Sequence, residues 1–382
     1  MKITYRPITN NDKKGIRTLS HKAFGFLGSL FVSLETGGFI AEVSETSNSP
    51  DTPLSLPSGT PAGAIILKQF CLGKEPVGLV SWIMSHPDTR GLGIAAELRN
   101  KGDQWLEKQG IRKSFALIEH YNQSSSKLFR NNGYRELGLW EQLKLFGPSI
   151  FLVWIKTLFL VSLSHALWYR DLDESSTTVN TQKTRFPDGG IVKAWLFQAF
   201  VFILLISRWS TPGNFPMIVT VGAAMSLVIL LARTLPFLLV CSSKGFPARY
   251  SPWAGGSFLV IVVTAFTGGF IPYPGSVYPR KTEYRYKEAV PVLGLGSLVA
   301  ALGLLALLAG VRLIPLNPEF SQTFLFGIQM LRAVLPIYIV IDILIPTFPF
   351  WGYLGRQVFL WKPWVWILLA LLSVGILVSG AL

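Results

Sequence analysis

From Ser149 onward the chain consists of long apolar runs separated by short polar loops, and no other feature limits its possible folds so strongly. A helix of about 20 apolar residues covers the hydrocarbon layer, because it satisfies its own backbone polar groups where no water can. Residues 216–232, 257–271, 293–311 and 366–382 read as such spans. Residues 149–164, 195–207 and 333–348 read as shorter ones, the first carrying Lys156 and the last Asp342. The expectation is an all-α, multi-pass membrane domain of six or seven spans over residues 148–382. Residues 1–147 instead mix charged and apolar positions, as a globular domain does.

The formal charge of +14 could point to nucleic acid, but Lys and Arg accumulate in the cytoplasmic loops of membrane proteins, so no nucleic-acid partner is expected. With the first domain in the cytosol and seven crossings, the loop at 278–288 and the loop holding Arg356 and Lys362 lie inside. Residues 170–190 then lie outside. The opening stretch "MKITYRPITNNDKKG" has no apolar core of a signal peptide. Cys71 and Cys241 are too few for a disulfide framework or a cysteine-rich metal site.

In the first 147 residues, 38–42, 62–72, 77–85, 114–122 and 134–146 read as strands, rich in β-branched and aromatic residues. The two strands at 62–72 and 77–85 form a hairpin. After "HPDTRGLG" the spacing of Ile94, Leu98, Trp105 and Leu106 changes to that of an amphipathic helix ending near Gln109, and 123–133 is a second helix. Residues 44–61 are a Ser/Pro/Thr-rich excursion. The order is mixed α/β. At the strand-to-helix junction, Gly91 and Gly93 leave the backbone bare. Consecutive N–H groups can converge there on an anion at the positive end of the following helix, and a pyrophosphate fits.

Two stretches together, "SHPDTRGLGIA" (85–95) and "NQSSSKLFRNNGY" (122–134), resemble the two hallmark motifs of the GNAT acetyltransferase family. The resemblance implies that Leu92, Gly93, Ile94 and Ala95 offer backbone amides to the pyrophosphate of acetyl-CoA. It also implies that Arg90 adds charge, that Ser85, Gly91 and Phe129 complete the cofactor site, and that Asn122 contacts the pantetheine arm. Splayed fourth and fifth strands would admit the acetyl group. One departure is position 129, where many relatives carry a tyrosine that protonates the leaving thiolate and this chain has Phe. Ser125 or Ser126 one turn away, an ordered water, Tyr121 or Tyr134 could substitute. Glu119 has the best chemistry for a general base, since a carboxylate in a partly dry cleft has its pKa raised toward neutrality.

Residues 216–382 contain no histidine and four acids, Glu283, Glu288, Glu319 and Asp342, which excludes an ordinary zinc site; no metal is expected. This region also resembles site-2 proteases that have lost their metal ligands. Arg233 to Phe237 stand where that family has its His-Glu-x-x-His, and Pro346, Pro349, Trp351 and Gly352 fall in its second metal-binding segment. Residues 268–298 are similar to that family's membrane-dipping hairpin and the helix after it. Asp342, an acid within an apolar span, needs a partner, for which Arg233 and Arg332 are candidates. Trp168, Tyr169, Trp209, Trp253, Trp361, Trp364 and Trp366 read as interface anchors. The leading expectation is an integral-membrane N-acetyltransferase, using acetyl-CoA and an amine acceptor that is a membrane protein or small molecule. The competing one is an acetyl-CoA-binding sensor joined to a pseudoprotease scaffold.

Overall fold

The computed structural model describes residues 2–32, 37–45, 56–173, 190–209, 214–272, 274–280, 284, 286–347, 350 and 352–379. The chain divides into two units. The first comprises Met1–Ile118, Ser124–Phe159 and Ala166–Asn180; the second comprises Glu119–Gln123, Leu160–His165 and Thr181–Leu382.

The first unit is built on one sheet of seven strands: β1 (Lys2–Pro7), β2 (Gly38–Glu45), β3 (Pro61–Leu72), β4 (Glu75–Ser85), β5 (Lys113–Glu119), β6 (Arg135–Glu136) and β7 (His165–Asp171). Their order in space is β1-β2-β3-β4-β5-β7-β6. β1 to β4 form an antiparallel meander, whereas β4 and β5 are parallel. A parallel pair needs a crossover, and α2 (Ile94–Lys108) supplies it. β3 is buried on both faces from Ala62 to Leu67 because a helix covers each side. Ile65 and Leu67 share a core with Ile94 and Leu98 of α2. Ala64 and Ile66, one register position away, pack with Ile16 and Leu19 of α1 (Lys13–Ser29). A Cβ on Gly63 would come within 2.9 Å of Ile94, so this glycine sets how closely α2 lies on the sheet.

Three sequence expectations fail in the first unit. Residues 134–146 are not one strand: β6 holds two residues, and α4 (Leu139–Phe146) follows. The Glu141 carboxylate accepts the Gly138 N–H at 2.9 Å, half of a capping box, and this starts the helix. Residues 149–164 are not a span. They hold the eight-residue α5 (Ile150–Thr157), with Ile150, Val153 and Trp154 buried and the Trp154 indole donating to Gln142 of α4 at 2.7 Å. The sheet then takes β7 from beyond residue 147, so Trp168 and Tyr169 are buried strand residues, not interface anchors.

In the second unit four helices are long and apolar enough to cross a membrane: α6 (Gly190–Trp209), α7 (Phe215–Ser243), Glu288–Leu313 of α9 (Tyr286–Leu313), and Gln322–Leu344, which is α10 (Gln322–Ile339) plus a π-helical turn. The expected six or seven therefore reduce to four among the described residues. α8 (Ala254–Thr267) rises roughly 21 Å at 1.5 Å per residue, against about 30 Å of hydrocarbon, and α12 (Pro363–Ser379) is an apolar helix of seventeen described residues. Nor is the unit all-α. β8 (Ala248–Pro252) and β9 (Gly275–Pro279) form an antiparallel pair, and Trp253 beside them is a core residue instead of an anchor.

Of the two arginines considered for Asp342, Arg233 makes the pair. Its Nε donates to Oδ2 at 2.5 Å, and its Nη1 donates to the Gly275 carbonyl at 2.9 Å. Asp342 Oδ1 also accepts the Leu354 N–H at 3.0 Å, at the start of α11 (Leu354–Trp361). Arg332 instead donates to the carbonyls of Val311, Arg312 and Ile314. The pair joins α7, β9, the end of α10 and the start of α11 in one buried network. Breaking it leaves a buried charge without its counter-ion, so Asp342→Asn should destabilise the chain by about 3–5 kcal/mol. Thermal unfolding in detergent measures this, and Arg233→Leu/Asp342→Leu should recover much of the loss.

Candidate functional site

The site begins where β4 and β5 separate. Ile66 of β3 pairs with Trp82, but the next residue, Leu67, pairs with Val80, so Ser81 is an extra residue in β4. Such a bulge bends its strand and interrupts the ladder. On the other side, pairing between β4 and β5 runs from Val77–Lys113 to Val80–Ala116 and ends at the level of the bulge. β4 nevertheless continues to Ser85 and β5 to Glu119. Beyond Val80–Ala116 the two parallel strands are no longer paired, at the place where the motif resemblance implies a gap.

Beyond half-buried Ser85 the chain turns tightly into α2. The Thr89 hydroxyl and the His86 N–H both donate to the Ala62 carbonyl, at 3.0 and 2.8 Å, tying the turn to β3. His86 is buried, with Nδ1 accepting the Asp88 N–H and Nε2 3.2 Å from Lys22 Nζ; burial, with Lys22 adding to it, lowers its pKa. It is turn structure. Gly91 and Gly93 have φ of 89° and 75°, a conformation costly for residues with a Cβ. A Cβ on either would meet nothing within 4 Å, so the space in front of them is open. The first bond of this turn of helix is Glu97 N–H to Gly93 O, at 3.1 Å. The amides of Ile94, Ala95 and Ala96 precede it and have no intrahelical acceptor. Leu92 and Arg90 are exposed, and Arg90 Nη2 reaches the Ala23 carbonyl of α1 at 3.4 Å. Bare amides, a helix N-terminus and an exposed guanidinium form a donor set that suits a pyrophosphate.

On α3 (Gln123–Asn131), Ser125 is half-buried and Ser126 buried. Phe129 does not face the open side: it is a core residue, edge-on to Tyr134 at 5.0 Å. Tyr134 is equally buried and donates to Ser114 Oγ at 2.5 Å, so its hydroxyl is engaged. Sequence reasoning missed Arg99 and Arg170, which both pair with Asp103 of α2. Arg99 has the spacing of an ordinary helical surface charge, and Arg170, the second cation on Asp103, lies far along the chain.

Glu119, at the end of β5, and Asn122 belong to the second unit. Glu119 Oε2 accepts the Tyr121 N–H at 3.1 Å, while Oε1 is buried without a hydrogen-bond partner among the described residues. Burial pushes the carboxyl up to about 8, against the lowering effects of the Tyr121 N–H and Arg356. The Tyr121 hydroxyl donates to the Val277 carbonyl at 2.8 Å and lies 3.0 Å from Ser276 Oγ, both in β9, so it is engaged. His120 Nδ1 lies 2.7 Å from the Ser164 carbonyl, which can only accept, so Nδ1 carries a proton. Asn122 is exposed, with its N–H donating to Glu119 O at 2.8 Å. The first unit thus holds the predicted residues Ser85 to Ala95 in one strand-turn-helix junction, from the end of β4 to the start of α2, and Ser125 and Phe129 on α3.

A family model described as "Acetyltransferase (GNAT) family" matches residues 42–134. The chain carries a GNAT acetyltransferase domain. It is an acyl-CoA-dependent N-acetyltransferase domain, and acetyl-CoA is its co-substrate. Among solved structures, the NatC complex bound to Gag peptide and CoA is similar at 17% identity and a TM-score of 0.30, over 36% of this chain and 87% of that one. The ribosomal-protein-S18-alanine N-acetyltransferase from Escherichia coli is similar at 17% identity and a TM-score of 0.28, over 36% of this chain and 80% of that one. The PaiA N-acetyltransferase from Thermoplasma acidophilum, in complex with coenzyme A, is similar at 12% identity and a TM-score of 0.30, over 45% of this chain and 99% of that one. No curated protein matches. None of these matches points to a site-2 protease. Of the positions in that resemblance, Pro349 and Trp351 lie outside the described residues, and Arg233 is half of the buried ion pair.

Proposed function

We propose that the chain is a membrane-anchored N-acetyltransferase that moves the acetyl group of acetyl-CoA to an amine of a membrane-associated protein or small molecule. The open turn at Gly91 and Gly93, with bare amides behind it, carries this reading. The chain works as two domains, with the sheet-bearing one in the cytosol and the helical one holding it to the bilayer. The amides of Gly93 to Ala95 and the Arg90 guanidinium hold the pyrophosphate, the Leu92 N–H being donated to the Thr89 carbonyl at 3.4 Å; Ser85 and Gly91 border it, and Asn122 holds the pantetheine arm. Bound acetyl-CoA supplies an activated thioester. Glu119 accepts the proton that the attacking ammonium must lose, and the Ser125 hydroxyl provides a proton for the leaving thiolate. Aligning the two reactants is the larger part of what such a site contributes.

Phe129 supports a second reading. At the position of the family's tyrosine it is buried and has no proton to give, which favours a sensor that binds acetyl-CoA without efficient turnover. The pseudoprotease scaffold of that reading rests on sequence resemblance alone. Incubating the chain, reconstituted in its host lipids, with radiolabelled acetyl-CoA and host membranes separates the two. The enzyme leaves label in an amide of a membrane protein or amine. The sensor leaves all label in acetyl-CoA.

A further inference from the structure

α4 and α5 lie in the first unit, yet their outward faces are apolar. Trp140 is 76% exposed, Phe151 52%, Ile155 62% and Leu158 59%, and Leu143 and Leu145 are exposed beside them. The inward face of α5, Ile150, Val153 and Trp154, is equally apolar and buried. This helix is therefore apolar on both sides, which a helix lying on a soluble domain in water is not. Isolated exposed apolar side chains are ordinary, but six within twenty residues, on two helices linked through Trp154 and Gln142, form a patch of the kind that marks an interaction surface.

Leu158 adds an independent observation. It is the one non-glycine with positive φ among the described residues, at 61°, and it ends α5. Glycine would hold this left-handed cap without strain. Leucine holds it at a cost and leaves its side chain outward, where it joins the apolar face.

The charges indicate what covers this face. Residues 137–164 contain three charged side chains, Glu141, Lys144 and Lys156. Glu141 is paired with Arg135 at 3.0 Å. The two lysines are exposed among the apolar residues. An aromatic and leucine-rich face bordered by lysines is the composition of a helix lying in the plane of a membrane interface, and lysines near the surface are drawn to anionic headgroups. The same chain carries four helices long and apolar enough to cross a membrane, so a bilayer lies within covalent reach of this face. We infer that the outer faces of α4 and α5 seat the acetyltransferase domain on an anionic bilayer surface, as an in-plane anchor separate from the crossing helices.

The test uses the full chain with Cys71→Ser, reconstituted in vesicles of phosphatidylcholine mixed with phosphatidylserine. A fluorescent label is placed at Phe151→Cys or Ile155→Cys, and at Lys108→Cys on α2 as a control. These positions are exposed, so labelling should leave the fold intact. Spin-labelled lipid should quench the label at 151 and 155 severalfold more than at 108, and aqueous iodide should show the reverse order. Lys144→Gln/Lys156→Gln should weaken the lipid quenching. Iodide reaching 151 and 155 as readily as 108 would overturn the inference. So would exclusion of both quenchers, the result expected if a second copy of the chain covered the face.

Discussion

Glu119→Gln should lower acetyl transfer by roughly 100- to 10,000-fold, the usual contribution of a positioned general base, while acetyl-CoA binding stays within a few-fold of wild type. Gln keeps the size of the side chain and an acceptor for the Tyr121 N–H, so the segment should keep its conformation. The wild-type pH profile is the second readout. Burial pushes the Glu119 carboxyl up to about 8, so below that value the group is protonated and cannot accept a proton. The rate should therefore rise with pH through about 8 and then level, and the Gln variant should lose that limb. Stability runs the other way. A carboxyl with a raised folded-state pKa contributes stability that is fully present below its unfolded value, near 4.5, and is lost as pH rises through about 8. Wild type should thus lose unfolding temperature over that window, and the Gln variant should lose less.

Gly93→Glu should weaken acetyl-CoA binding by at least about a hundredfold. Two unit charges about 4 Å apart near a protein surface repel by about 4 kcal/mol, and the new carboxylate stands in the open space at the α2 N-terminus. The backbone contributes separately, since φ of 75° is strained for any residue with a Cβ. Gly93→Ala carries that strain without the charge and should lose far less affinity. The difference between the two variants, read by calorimetry, isolates the electrostatic part. Because a Cβ at 93 meets no neighbour, both variants should keep the sheet folded.

Much of this site was legible because its chemistry is local. The glycines at 91 and 93, the strand before them and the amphipathic spacing of Ile94 and Leu98 after them all lie within one strand-turn-helix unit. Long-range placement was not legible. Residues 149–164 have the hydropathy of a span, yet hydropathy does not record that Trp154 bonds Gln142 or that the next residues extend the sheet. Residues 195–207 look weak as a span, yet they lie inside the twenty-residue α6. Ala248–Pro252 and Gly275–Pro279 are too short and too far apart in sequence to show as paired strands. Phe129 stands in a motif and was expected at the cofactor, but as an aromatic on the inward face of α3 it packs in the core. In the sequence Glu119 stands out by its chemistry alone; its burial comes from residues that meet it only in the folded chain.

Titration of acetyl-CoA into the detergent-purified wild-type chain, beside Gly93→Glu, bears most directly on whether the Arg90–Ala95 turn holds the co-substrate. Saturable binding to wild type, absent in the Glu variant and retained in Gly93→Ala, is the predicted result. Equal binding by wild type and Gly93→Glu, or no binding by wild type, would contradict it.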